Sequence, residues 1–258
     1  MDNNLQEKGA WIFLSHSHKD LYTIRKVRNE FERLGHNPIM FFLKCLDDDV
    51  EVDNLVKREI DARNWFVLCD SENSRNSLWV KTEVEYIKSL PDKKFYTINL
   101  EENWLNQLSE IHEISKELTV FISHHHKDYQ IAELFYNELI KHEFAVFLAQ
   151  KSIKIGEPYA AVIRDSVSNL FNKNGYFLLL LSSTSTHSLF INKELELLLN
   201  RSQDAIKKII IVVLEDYDEC VAHWTTLYPQ LNSIHFYNIT EENKVQKIKQ
   251  IVNEIKFN

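Results

Sequence analysis

The chain has 258 residues, of which 44% are apolar, and it contains only four Gly and four Pro. This composition suits one large or two small folded domains and argues against a disordered or linker-like protein. The formal net charge of −8 argues against a nucleic-acid-binding surface, so no nucleic-acid partner is expected.

The cysteines and the apolar runs indicate a cytoplasmic protein. The three cysteines are scattered: Cys45, Cys69 and Cys220. Such a set forms neither a disulfide framework nor a zinc pattern. Residues 1–8 are polar and do not resemble a signal peptide, and apolar runs such as 176–181 are too short to span a bilayer. No membrane partner is therefore expected.

In the first half of the chain, short apolar runs alternate with segments of helical periodicity. The predicted strands are 11–14, 38–43, 65–69 and 95–100. The predicted helices begin near Asp20, after the acidic residues 47–49, at Ser77 and at Trp104. Gly35 is expected to end the first of these helices.

The second half repeats this order. The predicted strands are 118–122, 144–148, 176–181, 209–214 and 233–237. Helices are expected after Asp128, from Pro158, from Ser188 and over 242–255. Asp20 and Asp128 are predicted to be helix N-caps.

Strands that alternate with helices predict an α/β fold, with parallel sheets covered by helices on both faces. Because the order of motifs recurs, two tandem copies are favoured over one large sheet. The predicted domains are residues 9–116, with four clear strands, and residues 117–258, with five.

Polar residues follow the first and third predicted strands of each copy. In open parallel sheets, ligands bind beyond the carboxyl ends of the strands, where the strand order reverses. The candidate binding residues at this edge are Ser15, His16, Asp70 and Ser71 in the first copy, and Ser123, His124 and Ser182 in the second. These residues are expected to line a crevice in each copy.

The helix after the third strand carries an aromatic residue and a glutamate four positions apart. These are Trp79 and Glu83 in the first copy and Phe190 and Glu194 in the second. Residues at this spacing lie on one face of a helix. Either pair alone is explained by an ordinary amphipathic turn. Its recurrence after the same strand favours a duplicated aromatic-plus-carboxylate site.

Other kinds of site find little support. The histidines near residues 16 and 124 are adjacent on short loops without a Cys partner, so no metal site is expected. We interpret these histidines as residues that line the crevice and donate a hydrogen bond to a phosphate or accept a proton. The phosphate-binding glycine loops of dehydrogenases and P-loop enzymes are absent, as is the nucleophile elbow of hydrolases.

Taken together, the motifs resemble those of tandem TIR (Toll/interleukin-1 receptor) domains over essentially the whole chain. The first-strand motif is FLSHSHKD at 13–20 and FISHHHKD at 121–128. The helix motif is SLWVKTE at 77–83 and SLFINKE at 188–194. IGEPY at 155–159 is similar to the family's second-strand loop, whereas acidic residues 47–53 occupy that place in the first copy.

The resemblance implies two flavodoxin-like domains and an NAD-cleaving activity that breaks the nicotinamide–ribose bond. The family's catalytic glutamate falls on Glu83 and Glu194, and its aromatic position on Trp79 and Phe190. NAD is then the substrate, and no cofactor is implied. Water, the adenine of the same molecule or another nucleophile can capture the ribose. ADP-ribose, a cyclic isomer and a conjugate therefore all stay open as products.

Similar bacterial TIR proteins act in antiphage systems of the Thoeris type. This resemblance implies an ADP-ribose-derived signal, a separate effector protein and a phage-derived trigger. One alternative is a non-catalytic adaptor that acts by TIR–TIR self-association, and another is a nucleotide sensor that binds without cleaving. An adaptor tolerates Glu→Gln at both Glu83 and Glu194, whereas an NAD-cleaving enzyme loses turnover.

Overall fold

A computed structural model describes residues 9–41, 49–148, 175–199, 206–215 and 217–257. The chain divides into two compact units. The N-terminal unit is built mainly from residues 8–115, and the C-terminal unit mainly from residues 116–141 and 145–258. Of the predicted second-strand loops, residues 47–48 and 155–159 lie outside the described residues, as does the helix predicted from Pro158. Residues 49–53, predicted as loop, are helical instead.

The N-terminal unit contains a parallel sheet of four strands in the order β2-β1-β3-β4. The strands are β1 (Trp11–Ser15), β2 (Asn37–Ile39), β3 (Trp65–Asp70) and β4 (Lys94–Asn99). The four predicted strands are thereby confirmed. The predicted extension of β2 to residue 43 is wrong at residues 40–41, which are not part of the strand, and residues 42–43 lie outside the described ranges.

The helices of this unit are α1 (Leu21–Arg33), α2 (Asp49–Ala62), α3 (Glu72–Arg75), α4 (Leu78–Lys88) and α5 (Trp104–Glu117). As predicted, α1 stops just before Gly35, whose φ of 89° suits glycine. The single turn α3 was not predicted. It forms because Ser71 and Ser74 cap each other's backbone N–H groups in a capping box.

The C-terminal unit contains a parallel sheet of five strands in the order β6-β5-β7-β8-β9. The strands are β5 (Thr119–Ser123), β6 (Ala145–Leu148), β7 (Tyr176–Leu181), β8 (Ile209–Val213) and β9 (Phe236–Asn238). The predicted start of the last strand at residue 233 is wrong. Pro229–Ser233 forms a 3-10 turn instead, with Pro at its start.

The described helices of this unit are α6 (Tyr129–Lys141), α7 (Leu189–Leu199), α8 (Tyr217–Leu227) and α9 (Lys244–Phe257). The sequence did not predict α8. Within the described ranges, no helix is both long and apolar enough to cross a membrane.

Both sheets are doubly wound, which confirms the predicted fold class. The first strand lies inside each sheet, and the chain reverses its direction of strand addition between the first and third strands. This reversal creates a crevice at the carboxyl ends of β1 and β3, and another at the ends of β5 and β7.

Aromatic packing shows which face of β1 is directed at α4 and which face of β5 is directed at α7, the helices that carry the glutamates. Phe121 stacks between Phe147 and Phe177 on the neighbouring strands, with ring centroids 5.0 and 5.2 Å apart. In the N-terminal unit, Phe13 packs with Phe66, Val56, Ile60 and Ile87 of α4. Side chains two positions apart share a face of a strand. The serine two residues after each first-strand Phe therefore points toward the same helix.

Candidate active site

A hydrogen bond joins the first strand of the N-terminal unit to the glutamate of α4. Ser15, at the carboxyl end of β1 and 1% exposed, donates its hydroxyl to Oε2 of Glu83 at 2.5 Å. Glu83 reaches this position because it lies between the buried residues Val80 and Ile87 at helical spacing. The core-facing stripe of α4 thus contains a carboxylate.

The C-terminal unit repeats this contact. Ser123, at the carboxyl end of β5, donates its hydroxyl to Oε2 of Glu194, also at 2.5 Å. Ser123 is 3% exposed and Glu194 is 8% exposed. Glu194 follows the buried Ile191 of α7 by three positions, just as Glu83 follows Val80. The duplication therefore preserves the serine–glutamate pair as well as the fold.

Neither carboxylate is neutralised by a neighbouring cation in the described part of the chain. The serine hydroxyl is the hydrogen-bond partner of each, and neither takes part in a described ion pair. Desolvation by burial raises the pKa of Glu83 and of Glu194 to about 7, and the serine hydrogen bond only partly opposes this rise. Each carboxyl group consequently changes charge near neutral pH, as functional carboxylates commonly do.

Trp79 lies beside Glu83, as the helical spacing predicts. Its side chain is 43% exposed, and both residues line a cleft between α2 and α4. The cleft encloses about 10 Å³. The other lining residues are Asp53, Val56, Lys57, Ile60, Thr82 and Tyr86. An aromatic face and an uncompensated carboxylate are thus brought together at one rim. The equivalent side chain, Phe190, lies outside the described part of the structure.

The two candidate histidines are half-buried at the strand ends. Nδ1 of His16 lies 2.9 Å from the carbonyl oxygen of Leu14, and since a carbonyl only accepts, Nδ1 carries the proton. Burial lowers the pKa of His16, which favours the neutral ring. The ring of His124 packs 6.2 Å from that of Tyr129. Each histidine directly follows a serine that bonds a glutamate.

Ser71 and Ser182 bond to aspartates and not to the glutamates. Ser71 donates its hydroxyl to Oδ2 of Asp20 at 2.6 Å, and Ser182 donates to Oδ2 of Asp128 at 2.7 Å. Ser182 follows Leu181, which belongs to the core around α7, so the alternation of side chains turns Ser182 to the opposite face. The third-strand serines therefore do not join the site around the glutamates.

Asp20 occupies the predicted N-cap position of α1, but its side chain makes no capping hydrogen bond. Its carboxylate instead accepts hydrogen bonds from Ser71 and from the side-chain amide of Asn73. Asp20 and Asp128 thus each connect the segment after the first strand of their unit to the segment after the third strand. The repeated Lys-Asp at 19–20 and 127–128 was the sequence signal for this bridge.

Asp70 is occupied by a different partner. Its Oδ2 accepts a hydrogen bond from Arg75 at 2.6 Å, in an ion pair that continues to Glu101. This exposed network leaves Asp70 tied to α3 rather than to Glu83.

A larger cavity in the C-terminal unit lies beside α6 and α9, away from Glu194. It measures about 490 Å³ and adjoins Asp128, Ser182 and the first turns of α6 and α9. Its carboxylates are already engaged by neighbours: Asp128 by Ser182, Glu133 by Tyr129, Glu215 by Ser183 and Glu241 by Lys244. Glu194 is not among its lining residues.

Two doubly wound sheets, each with a serine–glutamate hydrogen bond at its carboxyl edge, define a tandem α/β protein with a duplicated site. The family model described as TIR domain matches residues 12–116 and again residues 120–252. The chain therefore belongs to the TIR domain family, and its tandem organisation confirms the resemblance inferred from the motifs.

Among curated proteins, the chain is similar to a putative cyclic ADP-D-ribose synthase TIR2 of Cytobacillus dafuensis. The two are 31% identical over 107 residues, which cover 38% of this chain and 27% of that protein. Among solved structures, a metazoan TIR-STING receptor from C. gigas, in complex with 2',3'-cGAMP, matches 52% of this chain and 39% of its own. That match has 18% identity and a TM-score of 0.40.

Proposed function

We propose that this chain cleaves NAD at the nicotinamide–ribose bond, with Glu83 and Glu194 as its catalytic carboxylates. The observation that carries this proposal is the pair of serine-bonded carboxylates, half-buried at Glu83 and buried at Glu194, without a described cation partner. A carboxylate of purely structural role is normally paired when buried, because an uncompensated buried charge is costly. The same serine-bonded carboxylate recurs in both copies, which supports a functional reason for keeping a group that costs stability.

The chemistry of NAD cleavage suits such a carboxylate. Loss of nicotinamide builds positive charge on the ribose, as in glycoside cleavage, and a nearby carboxylate stabilises that charge. Nicotinamide is bound as a cation and departs neutral, so the reaction requires no general acid. The ionised form of each glutamate is therefore the active one, and the exposed ring of Trp79 offers a stacking surface for a flat ligand.

The size of the cleft limits what it holds on its own. A nucleotide-sized ligand needs several hundred Å³, whereas the described residues beside Glu83 enclose about 10 Å³. A bound NAD would accordingly place only the reacting end near Glu83 and Trp79. The rest of the molecule would extend along the carboxyl edge of the sheet.

The proposed role is the production of an ADP-ribose-derived signal in the cytoplasm, in bacterial antiphage defence, with a separate effector protein and a phage-derived trigger. Support comes from the family and from the similarity to a relative named as a cyclic ADP-D-ribose synthase. That relative also favours a cyclic product over plain ADP-ribose or a conjugate.

The decisive experiment incubates the purified full chain with NAD and follows nicotinamide release and product mass by chromatography. Glu83→Gln and Glu194→Gln are tested singly and together. Each substitution is expected to lower kcat at its own site by about 10²–10³-fold, the loss typical for removing one charge-stabilising group. If both copies work, each single variant retains the turnover of the other copy, and the double variant loses both.

Matched controls lie on the same helices. Glu85→Gln and Glu196→Gln change exposed carboxylates two positions further along α4 and α7 and are expected to keep full turnover. A single variant that abolishes all release would assign the activity to one copy. Absence of nicotinamide release from the wild-type chain, with or without lysate of phage-infected cells, would contradict the proposal and favour the adaptor, which assembles without chemistry.

A further inference from the structure

The serines that contact the two glutamates are built into the site and not placed at its rim. Ser15 and Ser123 are 1% and 3% exposed, at the carboxyl ends of β1 and β5. Each hydroxyl has a single proton, and in both copies that proton is directed at Oε2 of the glutamate at 2.5 Å. A hydroxyl used in this way is not available to donate to a substrate.

We infer that Ser15 and Ser123 are positioning residues, each of which holds one carboxylate oxygen in place and favours the negatively charged form of its glutamate. This inference rests on the proposed NAD cleavage. It also replaces the substrate-binding role that the sequence suggested for the two serines. The contact spans 68 residues in the first copy and 71 in the second, so only the folded sheet and helix bring the groups together.

The physical effect of the hydroxyl has a definite sign. Burial opposes the charge on each glutamate and raises its pKa, and the serine hydrogen bond is the contact that lowers it. Removing the hydroxyl leaves the burial and deletes the opposing contact. The carboxyl group then holds its proton up to a higher pH, and the active, ionised fraction near neutral pH falls.

The test uses Ser15→Ala with Glu194→Gln, and Ser123→Ala with Glu83→Gln, so that each chain reports one site. In the profile of kcat/KM against pH, the acidic limb is expected to move upward by about one pH unit, the size of one hydrogen bond to a charged group. Turnover near pH 7 falls about fivefold as a result, because the ionised fraction drops from about one half to about one tenth. It recovers as the pH is raised, and KM changes little.

The controls are Ser74→Ala and Ser185→Ala, which remove equally buried hydroxyls from the short helical turns after β3 and β7. These serines are 1% and 0% exposed and donate to the carbonyl oxygens of Ser71 and Ser182. Their loss is expected to leave the acidic limb in place, even where it lowers stability. Ser15→Cys and Ser123→Cys keep the side-chain volume and replace the hydroxyl with a weak donor, so they should move the limb in the same direction.

A second readout does not depend on turnover. Carboxyl-carbon NMR of ¹³C-labelled glutamate, with the Glu83 signal assigned by its loss in Glu83→Gln, gives the titration of that group directly. An upward shift in Ser15→Ala supports the positioning role even if no nicotinamide is released, in which case only the proposed function fails. An unmoved titration would overturn the inference, as would an unmoved limb with a raised KM, which is the result expected of a substrate-binding serine.

Discussion

At the residue scale, the site places an ionisable carboxyl group at a core-facing helix position, where an apolar side chain would favour stability. Glu194 lies three positions after Ile191 and just before Leu195, both of which are buried in the core of the C-terminal unit. Among the described residues, its hydrogen-bond partner is Ser123. An arrangement that is costly for stability and useful for chemistry is a common feature of active sites.

The cost predicts how stability changes with pH. The pKa of Glu194 is about 7 in the folded chain, compared with 4.5 for an unperturbed glutamate. Between these values the folded state binds more protons than the unfolded state, so the free energy of unfolding falls as pH rises. The penalty is absent below about pH 4.5 and fully present above about pH 7.

Glu194→Gln removes this titration. Relative to wild type, its free energy of unfolding is therefore expected to rise by about 1–3 kcal/mol between pH 4.5 and pH 8, whatever fixed cost the amide brings. Urea denaturation followed by circular dichroism at both pH values measures the difference. Glu196→Gln, an exposed neighbour, should show no such change. A variant whose stability tracks wild type at both pH values would show that Glu194 carries no such penalty.

At the element scale, α4 is held by few contacts. The residues of this helix that are buried are Val80 and Ile87, while Leu78 is 78% exposed and Trp79 is 43% exposed. Ser77 caps its first turn by accepting a hydrogen bond from the N–H of Val80. The first turn therefore presents apolar surface to solvent at Leu78 and Trp79, and Val80 and Ile87 anchor the helix to the core.

Two substitutions of similar volume on this helix should differ sharply in effect. Ile87→Ala opens a cavity in the core around Phe13 and is expected to cost about 2–4 kcal/mol of unfolding free energy. Leu78→Ala should change it by no more than about 0.5 kcal/mol, because the side chain is already exposed. Both values come from urea denaturation. Equal losses would mean that Leu78 is covered in solution, as in an assembled adaptor.

Sequence periodicity predicted the elements that bury a continuous apolar run or a clear stripe. Strand β7 was predicted at its observed bounds for this reason. Helix α8 was not predicted, because its fully buried residues are Cys220 and Trp224, and two positions do not make a clear apolar stripe. The late start of β9 depended on a 3-10 turn stabilised by local backbone hydrogen bonds, which leave no periodic signal.

The site was predictable in composition but not in its pairing. Helical spacing correctly placed Trp79 beside Glu83, since that relation is local to one helix. Ser15 bonds to Glu83, whereas Ser71 bonds to Asp20. These pairings depend on the face of the sheet to which each serine side chain points at the end of its strand. Spacing along the chain does not contain this information, because a shift of one residue moves a side chain to the other face.

At the scale of the whole molecule, the duplication gives each unit its own core. The apolar cluster around Phe13 and Ile87 lies entirely in the N-terminal unit, and the cluster around Phe121 and Trp224 lies entirely in the C-terminal unit. Each unit also contains a buried free cysteine: Cys69 is 0% exposed and Cys220 is 2% exposed. The two thiols therefore report separately on the opening of the two units.

Thiol labelling tests whether the units open independently. In the native chain Cys69 and Cys220 should resist a thiol reagent, since both are buried and burial raises the pKa of Cys69 to about 12. Ile87→Ala is then expected to speed labelling of Cys69 by roughly 100-fold, because about 1.4 kcal/mol of lost stability gives a tenfold change. Labelling of Cys220, quantified by mass spectrometry of its peptide, should stay at the wild-type rate. Equal acceleration at both thiols would show instead that the tandem copies unfold as one cooperative body, in which damage to one site's scaffold reaches the other.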